Sequence, residues 1–325
     1  MRSILSSVVD VTIQRRWQRT VSGAAALAIV LASTACGSTG QDDSTTATTP
    51  TTPTIVASMS IWADITRNVA CDGLANVETI VPLGGDPHSF DASLRDRETM
   101  ENAELIVANG LLLEESLNDT IEAVESAGTP VIRVAEGLET LGTSTKENQT
   151  GNDPHVWFDP IRVAATLPAI AGALADVGFD RAALDDCVDA YTAELIDLDE
   201  EVAAIVAELP ADRRVLVTNH DSLGYFADRY DFEILGSVIP SSSTLAETNP
   251  AELEELAESI EMTGVGAIFV ETQHSSSNAQ ALADRVGDVE VVTLLTGTLD
   301  EPGTEGSTYL GWLLQNAQRI VDGLS

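Results

Sequence analysis

Residues 180–209 read DRAALDDCVDAYTAELIDLDEEVAAIVAEL, thirty residues with neither Gly nor Pro. Apolar side chains recur at helical spacing: Leu184, Val188, Tyr191, Leu195, Leu198, Val202, Ile205 and Leu209. As one helix the stretch would be ~45 Å long at 1.5 Å per residue. That exceeds an ordinary globular helix and is long enough to run along two lobes and join them.

On both sides the pattern alternates between short apolar runs and helical segments. Before it, TIVASM (54–59), VETIVP (77–82), ELIVANG (104–110) and PVIRVA (130–135) read as strands. Helices are expected over 61–70, 95–103, 114–127 and from Asp159-Pro160 onward, where Pro suits the first turn because its missing N–H has no partner there. A polar loop is expected over 138–154. After it, RRVLVTNH (213–220), FEILGSVIP (232–240), GAIFVE (266–271) and VEVVTLL (289–295) read as strands. Helices over 222–230, 249–264, 276–287 and 307–324 alternate with them. Such alternation argues for parallel sheets. The expected fold is α/β: a lobe over 54–179, a linking helix over 180–209 and a second lobe over 210–325.

The first 53 residues read differently. Arg15, Arg16 and Arg19 precede the apolar run VSGAAALAIVLA (21–32). Twelve residues are too few to span a bilayer, which takes ~20, but they suit a secretory signal. STACGS (33–38) follows and resembles a bacterial lipoprotein signal ending at residue 35, with Cys36 as the lipidated residue. Ser33 stands where such signals usually carry Leu. The Thr- and Pro-rich stretch over 36–53 is too apolar-poor to fold and reads as a tether. Cys71 and Cys187 remain. In an exported chain an even pair can close a disulfide, and two buried thiols are the alternative.

The net charge of −36, from 52 acidic and 16 basic residues, excludes a nucleic-acid partner, because neutralising phosphates takes Lys and Arg. Histidine is scarce: His88, His155, His220 and His274. Two of them follow Asp-Pro, in GGDPHSFD (84–91) and GNDPHVWFDP (151–160), and His220 ends the strand VLVTNH. In open α/β sheets, ligands bind at the carboxyl ends of strands. Three imidazoles converging there suit a divalent transition metal. Pro stiffens the turn, and Asp can cap a backbone N–H or accept the second imidazole N–H.

The pieces VPLGGDPHSFDASLRD, DPHVWFDP, TNHDSLGYFADRY, GAIFVETQHSS and PGTEGSTYLGWLLQNAQRIVDGL resemble, in order, the metal-ion solute-binding lipoproteins of zinc and manganese ABC importers. The resemblance covers about residues 54–325. It implies two α/β lobes bridged by a single long helix, with the metal site in the cleft between them. His88, His155 and His220 become the metal ligands. The family usually supplies a fourth ligand as Asp in a Thr-Asp-Ser-Leu stretch. Here that stretch is TGTL (296–299), so Gly297 stands at the ligand position. Glu271, at a strand end, is preferred as a substitute, with Asp300 second; water or His274 are the others. Three nitrogens favour zinc over manganese, although the first two ligands are not separated by a His-rich loop.

The expected function is capture of Zn²⁺, with Mn²⁺ as the alternative, on the outer face of the cell membrane by a lipid-anchored monomer. The ion would pass to the transmembrane subunit of an ABC permease driven by its ATPase. Two competing readings are a zinc hydrolase, for which three His plus water is also a catalytic shell, and a surface adhesin.

Overall fold

The computed structural model describes residues 52–71, 73–142 and 151–325. The expected signal peptide, the lipidation site Cys36 and most of the tether lie outside the described residues. The stretch 180–209 forms a helix over Arg181–Val206, with Asp180 accepting the Ala183 N–H at its start. Its end comes three residues earlier than the apolar spacing suggests. Pro210 disfavours helical geometry in the residue before it, and Glu208 and Leu209 close tighter turns onto Ile205 and Val206. The last buried position within the helix is therefore Val206, with Ile205 only partly covered, while Leu209 is buried just beyond the helix end.

Four strands precede this helix: β1 (Thr54–Ala57), β2 (Asn76–Thr79), β3 (Leu105–Ala108) and β4 (Val131–Arg133). They form a parallel sheet in the order β2-β1-β3-β4, with Ala57 opposite both Thr79 and Val107. Four follow it: β5 (Val215–His220), β6 (Glu233–Ile239), β7 (Ala267–Glu271) and β8 (Glu290–Leu294). They repeat the plan as β6-β5-β7-β8, again all parallel. In both sheets the winding reverses beside the first strand, which opens a crevice at the carboxyl ends.

The helices of the first half are α1 (Ser60–Val69), α2 (Leu94–Glu101), α3 (Asn118–Ala127) and α4 (Pro160–Asp176). The long helix is α5. The second half adds α6 (Gly224–Tyr230), α7 (Pro250–Thr263), α8 (Ser277–Val286) and α9 (Tyr309–Leu324). Two starts fall within a residue of the expected positions. Ser93 and Asp96 form a reciprocal capping box on α2, and Asp159 caps α4 ahead of Pro160. A third does not. The helix expected from residue 114 begins at Asn118, because the buried Glu114 carboxylate accepts the N–H groups of Asn109 (2.6 Å) and Gly110 (3.1 Å). Leu111 and Leu112 take left-handed backbone in that turn, which is incompatible with a helix.

Helix α5 packs on α4 and α1 from the first half and on α9 from the second. Its buried stripe joins a single apolar core that runs through both lobes and includes Trp62, Trp157, Phe158, Tyr309 and Trp312. Alternate residues of the first sheet, Val56 and Ile106 among them, face the other way and bury a smaller cluster with Ile121 and Val124. Cys71 and Cys187 are joined by a disulfide with their Cα atoms 5.5 Å apart, which ties the end of α1 to the first turns of α5.

Candidate metal centre

Both Asp-Pro-His tripeptides fold the same way. Asp86 Oδ1 accepts the His88 N–H at 3.0 Å, and Asp153 Oδ1 accepts the His155 N–H at 2.9 Å. Each Asp side chain thus closes a turn over the proline and fixes the His backbone. The first turn follows β2, and the second leads into the short Val156–Phe158 turn before α4. His220 is the last residue of β5, an inner strand of the second sheet.

The three imidazoles meet. His88 Nε2 lies 3.3 Å from His155 Nε2, and His220 Nε2 lies 3.2 Å from the same atom. Each residue is 2% exposed. A tetrahedral ion with Zn–N bonds of about 2.0–2.1 Å spaces its nitrogens about 3.3–3.4 Å apart, so the observed separations are those of ligands around one ion. Three lone pairs aimed at one another repel, and a central dication turns that repulsion into attraction.

A carboxylate stands behind each ring. Asp153 Oδ1 accepts from His155 Nδ1 at 2.7 Å with good hydrogen-bond geometry. Glu115 approaches His88 Nδ1 at 3.5 Å, and Glu271 pairs with His220 Nδ1. An acceptor at Nδ1 holds the proton there and leaves the Nε2 lone pair for a metal. Burial shapes the charges. It pushes Asp153 up to about 7 and, with the neighbouring His220 and His88, holds His155 well below the usual imidazole range. At His220 burial works against the charged ring, but the Glu271 carboxylate outweighs it and raises the pKa; the same pairing lowers Glu271. A dication at the Nε2 side favours anionic carboxylates behind all three rings.

The other expected residues fall elsewhere. Among the described residues, the group whose donor atoms all lie within 4.8 Å of one another is His88, His155 and His220 alone. Glu271 lines the cavity but has its Oε1 engaged by His220 and by the Ser222 hydroxyl at 3.3 Å. Asp300 accepts the Glu301 N–H and is absent from the cavity lining. His274 sits 3.4 Å from Asp86 rather than among the three nitrogens. Gly297 does line the cavity, and a Cβ there would stand 3.0 Å from both Gln273 Nε2 and Pro87 Cδ. A side chain at 297 would therefore press on Gln273 and Pro87, which would have to give by a few tenths of an ångström. The cavity has a volume of about 10 Å³, room for one atom-sized guest.

Three supporting residues carried no signal in the sequence reading. Glu115 lies in the turn that displaced the start of α3. Tyr225 donates its hydroxyl to the Asp153 carbonyl at 2.8 Å, and Gly224 passes so close that a Cβ would lie 2.6 Å from Asp153 Oδ2. Gly224→Ala is therefore expected to rotate the Asp153 carboxylate off His155 Nδ1. Metal affinity should fall about 10–100-fold, the usual effect of losing such a partner, while the far-ultraviolet circular dichroism stays unchanged. Calorimetric titration checks the affinity.

Residues 55–323 match the family described as zinc-uptake complex component A, periplasmic (ZnuA). The chain is 32% identical over 278 residues to the zinc-binding protein TroA of Treponema pallidum (strain Nichols), an alignment covering 83% of this chain and 88% of that protein. It is 27% identical over 300 residues to the manganese-binding lipoprotein MntA of Halalkalibacterium halodurans, covering 92% and 96%. The solved structure of the periplasmic zinc binding protein TroA superposes with a TM-score of 0.77 at 31% identity, over 85% of this chain and 100% of that one. With two parallel-sheet lobes, a bridging helix and a buried three-histidine cluster, the chain belongs to the zinc-uptake complex component A family, the metal-binding solute-binding proteins of ABC transporters rather than enzymes.

Proposed function

We propose that this protein captures a single Zn²⁺ ion outside the cytoplasm and hands it to the membrane permease of an ABC importer. It would act as a monomer held to the membrane by a lipid on Cys36. The observation that carries the metal assignment is the convergence of three buried imidazoles, with His88 and His220 Nε2 each within 3.3 Å of His155 Nε2 and each ring backed by a carboxylate. In this reading His88, His155 and His220 ligate the ion, and Glu271 holds the His220 tautomer. Asp86 and Glu271, the carboxylates that line the cavity, are already engaged by histidines. The donor set is then mainly nitrogen, which suits zinc better than manganese. A manganese cargo is the second reading, favoured by the similarity to the manganese-binding lipoprotein MntA. The small cavity supports carriage over catalysis, since organic ligands occupy sites of about 300–1,000 Å³.

Calorimetry of the metal-stripped chain is expected to give one zinc per chain, with manganese failing to displace it at equal concentration. Tighter manganese binding, or no uptake of zinc, overturns the assignment. Affinity should fall as the solution is acidified. Ligation needs neutral rings, and Glu271 raises the His220 pKa, so protons compete from above the ordinary imidazole value of about 6.5. Below that point each pH unit should cost about tenfold per proton displaced, read from the same titration repeated at pH 7.5 and 5.5.

A further inference from the structure

The two lobes meet along two seams of different character. One is buried: Trp157 Nε1 donates to the Thr296 carbonyl at 2.8 Å, the Leu299 N–H donates to Ser60 Oγ at 2.9 Å, and the Tyr309 hydroxyl donates to the Trp157 carbonyl at 2.8 Å. The common apolar core lies beneath these bonds, so parting them would expose it.

The other seam is polar, and its C-terminal side is only half-buried. It is formed by the connection between β6 and α7, whose first residues read PSSSTL (240–245). Thr244 Oγ1 donates across the cleft to Asp86 Oδ2 at 2.8 Å. His274 Nε2, from the segment after β7, stands 3.4 Å from the same oxygen. Asp86 meanwhile holds the His88 N–H with Oδ1 and the Ser89 hydroxyl with Oδ2. The start of the same connection is tied to the third ligand's neighbour, because the Asp221 N–H donates to the Ser241 carbonyl at 3.0 Å. One short segment thus links the turn that carries His88 to the residue after His220.

An ion seated among three 2%-exposed rings leaves only if one ring withdraws. His155 is held between Asp153, Trp157 and the buried seam. His88 rides on a turn held by the half-buried polar seam at Asp86, with one further cross-cleft bond from the Gly84 N–H to Thr298 Oγ1 at 3.1 Å. Building on the proposed zinc cargo, we propose that Thr244 and His274 latch Asp86 across the cleft and that this latch sets the rate of metal release. Asp86 is a positioning residue here, acting through the His88 turn.

The test compares Thr244→Val, which keeps the shape and removes the hydroxyl, with Asp86→Asn and with the double variant. Protein loaded with zinc alone is mixed with excess chromophoric chelator, and uptake by stripped protein is followed by stopped flow. Thr244→Val should release zinc about tenfold faster, the scale of one lost hydrogen bond to a charged group, with the association rate unchanged. The double variant should release no faster than Asp86→Asn, because both substitutions remove one interaction. Release by Thr244→Val at the unsubstituted rate, or additive effects in the double variant, overturns the latch. A general weakening of the fold would instead change association as well, and that too overturns it. Amide exchange over 240–246 in stripped protein reports the latch without any cargo: it should quicken in Thr244→Val, and unchanged protection counts against the latch. Failure of the unsubstituted chain to take up zinc removes the proposed function and is read separately from these ratios.

Discussion

His155→Ala is expected to lower zinc affinity about 10²–10⁴-fold, since three protein ligands sharing ~10–16 kcal/mol contribute about 3–5 kcal/mol each. His155 is the strongest choice among the three because its Nε2 is the atom that both other imidazoles approach, at 3.3 and 3.2 Å. Its loss also strands Asp153, which is 3% exposed and would lose its imidazole partner. Competition against a chelator of known affinity measures the effect, and an affinity within threefold of the unsubstituted chain places the metal elsewhere. Two companions divide the candidate fourth ligands. Glu271→Ala should weaken binding about 10–100-fold by freeing the His220 ring. Asp300→Ala should leave the affinity unchanged, because Asp300 serves its own backbone turn.

Reducing the Cys71–Cys187 disulfide, or replacing both residues with Ser, should destabilise the fold by about 5 kcal/mol in the chain-entropy account of a closed loop of this length. The sequence separation is 116, so the bond restricts nearly half of the described chain when it unfolds. For a domain of this size the thermal midpoint should drop by about 10 °C. Calorimetry of oxidised and reduced protein checks it. A shift below about 2 °C would mean that the contacts of α5 with α1 and α4 already hold the two ends together in the unfolded chain. Zinc stoichiometry should stay at one per chain, because the disulfide lies at the end of α1 and away from the cavity lining.

Periodicity explains how much of the fold could be read in advance. The α5 stripe and the eight short apolar runs are local signals, each set by neighbours within a few residues, and all of them formed elements. The helix start at 114 failed because Glu114 is drawn into a turn by the N–H groups of Asn109 and Gly110. No propensity records that competition. The α5 end shifted for a local reason, Pro210, whose effect on the preceding residue is steric.

The metal centre divides in the same way. His88, His155 and His220 were legible because rare imidazoles stood at strand ends and behind Asp-Pro, a pairing with a specific turn chemistry. Glu271 was legible as important. Its position against His220 Nδ1, outside the group of converging donor atoms, was not, because that depends on how the ends of β5 and β7 lie side by side. The same holds for Glu115, Gly224 and Tyr225.

By itself the sequence determined the element order, the parallel two-lobe plan, the bridging helix and the three imidazoles, since all of these follow from short-range spacing and side-chain chemistry. Only the tertiary structure decided which carboxylate backs which ring, what a side chain at 297 would press against, and which seam between the lobes is polar. Those features come from residues far apart in sequence, Asp86 and Thr244 at 158 positions among them, brought within hydrogen-bond distance. Packing of one shared core, rather than any local preference, sets such distances.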